Sequence, residues 1–260
     1  MKADLKDITF LILVRLDSVQ RLENVVAITD ALSKYFDTYI TVVEASGYPN
    51  GILKALLNKK VNYLFKEDND PILYKTRHFN AMTSDVSTKY IAIWDADVVV
   101  DKKAILEAMA VLRSQTADVA YPYNGKCYNT SEILRTLFLK HKDIRVLYRH
   151  LNKLDLFHSR LLVGGAVLAD REKYIYAGME NEKHYGWGDD DFDRSYRFER
   201  LELKTHRVNT CLFHLSHPRT MNSTFASSIQ NKISSNERFK TESSSKQEIL
   251  TRLLSAHNHK

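Results

Sequence analysis

Residues 91–101 read IAIWDADVVVD, which sets Asp95 and Asp97 one residue apart at the end of an apolar run rich in β-branched side chains. Such a run suits a strand buried in a parallel sheet. Two neighbouring carboxylates are costly to bury unless a positive charge meets them. A divalent cation answers that need, because Mg²⁺ and Mn²⁺ favour oxygen ligands and bridge to substrate phosphates. In open α/β sheets, ligands gather where strands end at their carboxyl side. Two solvated aspartates in a turn are the competing account of the same residues.

A second acidic cluster lies in residues 184–197, HYGWGDDDFDRSYR, with Asp189, Asp190, Asp191 and Asp193 within five positions. Like charges this close repel and raise some carboxyl pKa values. The cluster suits a general base, a cation site, or both. A helix N-terminus also accounts for it, since acidic side chains favour that end of the macrodipole, and RSYRFERLEL continues as a helix. That account leaves Trp187, between Gly186 and Gly188, unexplained. The three residues read as a mobile, backbone-permissive loop whose aromatic covers the flat face of a ligand.

The elements that must position these groups follow from periodicity. Strands are predicted at 8–14, 39–44, 61–65, 90–94 and 119–123, and helices at 19–35, 52–58, 72–83 and 103–113. This alternation predicts an α/β fold with a mostly parallel central sheet and helices on both faces. Residues 130–158, rich in Leu, Lys and Arg, read as a helical insertion or a pair of surface helices. Residues 161–169 read as a strand with Gly164 and Gly165 inside it, marking either close approach of a ligand or backbone, or a bulge. A last strand is predicted at 210–215. The Ser/Asn/Lys-rich stretch 220–246 reads as a partly mobile extension or interaction arm, followed by a closing helix at 247–255.

The 260 residues are 44% hydrophobic and 27% charged, which fits one large domain with an extension. The expected division is 1–220 and 221–260. No apolar run reaches the roughly 18 residues of a transmembrane helix. The first apolar stretch lacks a small-residue cleavage site and is followed at once by Arg15 and Asp17, unlike a signal peptide. Cys127 and Cys211 make neither a disulfide framework nor a zinc motif, so a reducing cytoplasm is expected. The net charge of +6 favours anionic ligands, such as a nucleotide sugar, or a peripheral contact with an anionic membrane. No nucleic-acid-binding motif accompanies it, and no nucleic-acid partner is expected.

Four motifs in order carry a family resemblance: LILVRLD, WDAD, LLVGGAVLADREKYIYAGMENEKHYGWGDDDFD and FHLSHPR. Over residues 6–220 the chain resembles the GT-A superfamily of nucleotide-sugar-dependent glycosyltransferases. It is most similar to the family 2 enzymes and to the C-terminal part of the β-1,4-galactosyltransferases. The resemblance implies a metal-dependent, inverting transfer of a hexose or N-acetylhexosamine from a UDP-sugar, with Mn²⁺ or Mg²⁺ as cofactor. UDP-galactose, UDP-N-acetylgalactosamine and UDP-glucose are the donors expected, in that order, and a glycan or lipid-linked glycan hydroxyl is the acceptor. Asp97 would bind the metal, and Asp95 would help hold it or contact the ribose. Arg15 and Asp17 would sit by the uracil or ribose, while Lys75 and Arg77 would steer the diphosphate. Gly164 and Gly165 would lie against the donor sugar, with Trp187 closing over it. His214 or His217 would complete the metal site, His214 being preferred because it ends the strand. Alignment through Asp193 and Arg197 makes Asp191 the catalytic base and Asp190 an acceptor-binding acid. The loop is one residue shorter than in the galactosyltransferases, which leaves Asp189 in the comparison.

Two other classes compete. A sugar-nucleotide pyrophosphorylase uses a similar sheet but carries a Gly-rich loop near its first strand, and the first glycine here is Gly47. A cation-dependent carbohydrate-binding module would use the DDDFD run and leave Asp95 and Asp97 without a role.

Overall fold

The computed structural model describes residues 1–257. β1 (Ala3–Val14) leads to α1 (Val19–Tyr35), β2 (Phe36–Ser46) to α2 (Ile52–Leu56), and β3 (Asn62–Glu67) to α3 (Lys75–Ser84). β4 (Tyr90–Asp95) and the two-residue β5 (Val98–Val99) precede α4 (Lys102–Arg113). Next come β6 (Val119–Tyr121), β7 (Cys127–Asn129), α5 (Glu132–His141), α6 (Arg145–Arg149) and β8 (Asp155–Leu156). The chain continues through β9 (Ala166–Asp170), α7 (Arg171–Tyr176), α8 (Asp190–Arg200), β10 (Thr205–Arg207) and β11 (Leu212–His214). It closes with α9 (Ser228–Ser243) and α10 (Lys246–His257).

The strands form a seven-stranded sheet, ordered β10-β6-β9-β4-β1-β2-β3, and a four-stranded one, ordered β5-β11-β7-β8. In the large sheet β1 pairs in parallel with both β2 and β4, while β9 runs antiparallel between β4 and β6. The sheet is mainly parallel and flanked by helices, as the alternating pattern predicts. Residues Tyr90 to Trp94 of β4 are all buried, because this strand has neighbours on both sides and helices over its faces. Trp94 stacks edge-on against Phe10 of β1 at 5.3 Å. Helix starts follow local chemistry: the Ser18 and Asp101 side chains accept the free N–H groups of Arg21 and Lys103.

Three expectations are corrected. The strand predicted from residue 161 begins at Ala166, so the glycine pair precedes it rather than lying inside it. Gly165 has φ +79°, a conformation that turns the chain into β9 and favours glycine. Second, residues 130–158 are not helical throughout, since they end in β8, which pairs with β7. Third, residues 228–243 are helix rather than a mobile arm. Ser227 caps α9, and its Ser234 and Thr241 are buried against the start of α8. Among the described residues no helix is long and apolar enough to cross a membrane.

Candidate active site

A cavity of about 390 Å³ opens at the carboxyl ends of β1 and β4, lined by Asp95, Asp97, Asp191, Trp187, His214 and His217 among others. Its floor is built by the small sheet. β5 carries Val98 opposite His214 of β11, and β7 carries Asn129 on the other side of His214. The Leu215 N–H donates to the Asp97 carbonyl at 2.7 Å, which fixes the chain after β11 against the Asp95–Asp97 turn.

Asp97, His214 and His217 bring one ligand atom each within 4.8 Å of one another. His217 Nε2 lies 3.1 Å from Asp97 Oδ2, and His214 Nε2 lies 3.7 Å from it. Each ring is oriented through its other nitrogen. Nδ1 of His214 is 2.8 Å from Asn129 Oδ1, and Nδ1 of His217 is 2.8 Å from the Pro218 carbonyl. Both oxygens only accept, so both Nδ1 atoms donate and both Nε2 atoms turn a lone pair toward Asp97. Lone pairs facing a carboxylate oxygen require a cation between them, either a proton or a metal. The two sequence alternatives for the histidine are thus both present in one cluster.

Electrostatics sharpen this picture. Burial raises the Asp97 carboxyl, but His214, His217 and Arg21 outweigh it and hold Asp97 well below the ordinary value. Burial lowers His214 to about 4, against the pull of Asp97, so this imidazole is neutral at pH 7. Asp95 moves the other way, to about 7, chiefly through burial and only partly offset by Lys75. A mixed set of two imidazoles and one carboxylate fits Mn²⁺ better than Mg²⁺, which takes oxygen ligands almost alone.

The acidic cluster forms the facing wall, and its four members do different things. Asp193 is fully buried between Arg197 Nε at 3.0 Å and Thr241 Oγ1 at 2.6 Å, as a structural anchor. Asp190 is 1% exposed and paired with Lys75 Nζ at 2.7 Å; burial raises its carboxyl to about 6. Asp189 lines the cavity but is held by Arg238 at 2.9 Å and Arg160 at 3.3 Å. Asp191 lines the cavity with its side chain 26% exposed and Oδ1 bound to Arg194 at 2.7 Å. Burial pushes the Asp191 carboxyl up, yet Lys75 and then Arg194 outweigh it and keep it below the ordinary value. Of the three residues in comparison, Asp191 is the most exposed: Oδ1 is bound to Arg194, while Oδ2 has only Lys75 Nζ at 3.8 Å and stays open to the cavity.

No family model matches the sequence, and no curated protein matches it. Among solved structures, glucosyl-3-phosphoglycerate synthase from Mycobacterium tuberculosis is similar in two complexes. The complex with Mn²⁺, uridine diphosphate and phosphoglyceric acid has a TM-score of 0.51 at 14% identity, over 81% of this chain and 71% of that one. The complex with Mn²⁺, uridine diphosphate and glucosyl-3-phosphoglycerate has a TM-score of 0.50 at 14% identity, over 81% and 72%. The fold is GT-A. At this identity the likeness is one of fold.

The GT-A sheet gathers some predicted residues and leaves others aside. Gly164 and Gly165 line the cavity, and a Cβ on Gly164 would fall 2.0 Å from Asp191 Oδ2. Trp187 lines it too, edge-on to Phe225 at 5.1 Å. The loop around Trp187, expected to be mobile, is tied down. Gln230 of α9 donates to the Tyr185 and Trp187 carbonyls, and Thr76 of α3 donates to the His184 carbonyl. Lys75 lines the cavity, but its ammonium pairs with Asp190 rather than standing free for a diphosphate. Arg15, Asp17 and Arg77 are not on the cavity wall. Arg15 ties β1 to its neighbours through Ala45, Asp68 and Asp70. Asp17 pairs with Arg21 and accepts from Thr220, and Arg77 lies over the Tyr74 ring on the exposed face of α3.

The cavity also contains residues that the motifs did not single out. Arg21 stands 3.8 Å from Asp97, and Arg219 stacks on Phe157 at 4.7 Å. Arg219 lay inside the FHLSHPR motif, so a signal existed. His158 and Arg160 carry none, because their places depend on how the segment between β7 and β9 folds back.

Proposed function

We propose that the chain is a metal-dependent glycosyltransferase that moves a hexose or N-acetylhexosamine from a UDP-sugar to a glycan or lipid-linked glycan hydroxyl, with inversion. The observation that carries this reading is the Asp97–His214–His217 cluster sharing one cavity with the open carboxylate of Asp191. The similar synthase structures hold Mn²⁺ and uridine diphosphate together, which supports the same pair of ligands here. The finer likeness to family 2 and the β-1,4-galactosyltransferases rests on the four ordered motifs.

Asp97, His214 and His217 would hold Mn²⁺, which when bound neutralises the diphosphate as it leaves. The chain's own groups do the rest. Asp191 accepts the proton of the attacking hydroxyl. Gly164 and Gly165, lacking side chains, let the donor sugar lie against the backbone beside that carboxylate. Trp187 covers the sugar and excludes water, which limits hydrolysis. A single base acting on the acceptor implies one displacement, hence inversion. Asp190 pairs with Lys75 beneath the wall, so the acceptor-facing acid in this reading is Asp189, which borders the cavity. A cation-dependent carbohydrate-binding module would account for the metal cluster but would leave the Asp191 carboxylate in the same cavity without a proton to accept.

Thermal shift with UDP and Mn²⁺, singly and together, tests the reading. Stabilisation by UDP only when Mn²⁺ is present supports it, and stabilisation by free sugars alone sinks it. A screen of UDP-sugar hydrolysis without acceptor then ranks the donors.

A further inference from the structure

Arg194 has no part in the motif assignment, yet it is the most deeply buried arginine among the described residues, 1% exposed. Its guanidinium joins three things. Nη1 meets Glu180 Oε1 at 2.5 Å, while Nη2 meets Asp191 Oδ1 at 2.7 Å and the Val163 carbonyl at 3.2 Å. Glu180 is itself immobile, since the Tyr174 hydroxyl donates to it at 2.7 Å and its backbone exchanges hydrogen bonds with Asn80 of α3. Val163 leads directly into the glycine pair. On the opposite side, Asp191 Oδ2 presses against Gly164, whose carbonyl accepts from the Tyr123 hydroxyl at 2.5 Å.

We propose that Arg194 is the positioning residue for the base, clamping Asp191 Oδ1 so that Oδ2 rests against Gly164 and faces the donor sugar. This rests on the glycosyltransferase reading above and goes beyond it. A guanidinium suits the task because its planar fork spans two carboxylates and a carbonyl at once, which an ammonium does not. Burying this cation is costly unless it is fully paired. The pairing extends to a group in the cavity wall rather than closing with Glu180 alone. The charged and titratable groups around Asp191 are Lys75 from α3, Arg194 and Asp190 from α8, His184 before α8, Asp95 from β4, and Tyr121 and Tyr123 at β6 and just after it. Arg194 is the one among them that bonds Asp191 directly at hydrogen-bond distance.

Arg194→Lys tests the clamp, because a lysine keeps a positive charge beside Glu180 but cannot also reach Asp191. Expected are UDP affinity in Mn²⁺ within about twofold of wild type, unchanged donor KM, and kcat lowered about tenfold to a hundredfold. The acid limb of the kcat–pH profile should move up by about one unit as Asp191 loses its hydrogen-bonded cation and keeps only Lys75, 3.8 Å from Oδ2. In an Asp191→Asn background the same change should cost no further activity, since both act through one carboxylate. Gly164→Ala attacks the clamp from the other side, since its Cβ would displace Asp191 Oδ2, and should lower kcat while also raising donor KM, because the sugar lies against the same backbone. Wild-type kcat and an unmoved acid limb in Arg194→Lys overturn the proposal, as does equal loss with and without Asp191. If Arg194→Lys does not fold, normal kcat in Gly164→Ala overturns it. A wild-type protein that shows no Mn²⁺-dependent UDP binding overturns the glycosyltransferase reading instead, and so the two failures are distinguishable.

Discussion

At the scale of single residues, the metal cluster is defined by which nitrogen each histidine offers. Both rings commit Nδ1 to an oxygen and point Nε2 at Asp97. His214→Ala and His217→Ala should therefore each weaken Mn²⁺ binding by at least about tenfold, measured calorimetrically. Loss in one alone would reduce the cluster to a single histidine. Asn129→Ala, which removes the orienting partner of His214, should cost about 10- to 100-fold. Asp191→Asn should leave UDP and Mn²⁺ affinity near normal while slowing transfer by at least about a hundredfold. If instead Asp189→Asn stops transfer and Asp191→Asn does not, the base is two positions earlier in the loop. The carboxylates and histidines of this site were legible in the sequence because their spacing at strand ends is itself a signal. Arg194 and Asn129 were not legible. A buried arginine in an acidic helix reads as an ordinary ion pair, and Asn129 gains its role only through pairing of β7 with β11.

At the scale of elements, α9 holds the Trp187 loop in place. The Ser234 hydroxyl lies 2.8 Å from His184 Nδ1 and accepts the Asp189 N–H at 3.0 Å, and Ser234 is 1% exposed. Ser234→Ala should cost about 1–3 kcal/mol, since it leaves two buried polar groups without a partner. That loss appears as a lower melting temperature in calorimetry, and an unchanged melting point would show that the loop is held elsewhere. The long, strongly periodic elements were readable: α1 spans residues 19–35 in both sequence and structure. The small sheet was not, because strands of two or three residues are too short to show alternation. α9 was hidden for another reason. Its buried face is made of Ser234 and Thr241, which contact the acidic helix through hydrogen bonds and give no apolar stripe.

At the scale of the whole molecule, the buried carboxylates set opposing pH dependences. Burial raises Asp193, but Arg197, the His184 hydrogen bond and Thr241 outweigh it and bring it to about 2. A depressed carboxyl contributes stability that is present above its unfolded value and lost as pH falls, here between about 4 and 2, worth about 2 kcal/mol. Asp190 and Asp95 are raised to about 6 and about 7. Their folded forms bind protons more readily than the unfolded chain, so they add stability as pH falls through 7 to 4. His214, held to about 4, opposes part of that gain, because the unfolded chain takes up its proton from about 6.5 downward. Metal-free protein should still gain stability in urea titrations as pH falls below 7, and lose it toward pH 2. Asp193→Asn should flatten the acid side alone. A stability maximum above pH 7 would contradict the burial of Asp95 and Asp190.

The small sheet also limits how this chain can diverge or be re-engineered. The helical segment between β7 and β8 is rooted in the ladder that sets Asn129 beside His214. Length can change at the turn between α5 and α6 without touching the ladder, because loop length alone costs little, whereas Leu134, Phe138 and Leu147 of the helices themselves belong to the core. A slip of one residue in β7 has a different effect, since it turns Asn129 to the other face and leaves the His214 ring without its orienting partner. Grafting another protein's insertion at this point should therefore succeed when the splice points lie beyond Asn129 and before Asp155 and the graft keeps apolar side chains where Leu134, Phe138 and Leu147 enter the core. A splice inside either strand should give a folded protein with weak Mn²⁺ affinity.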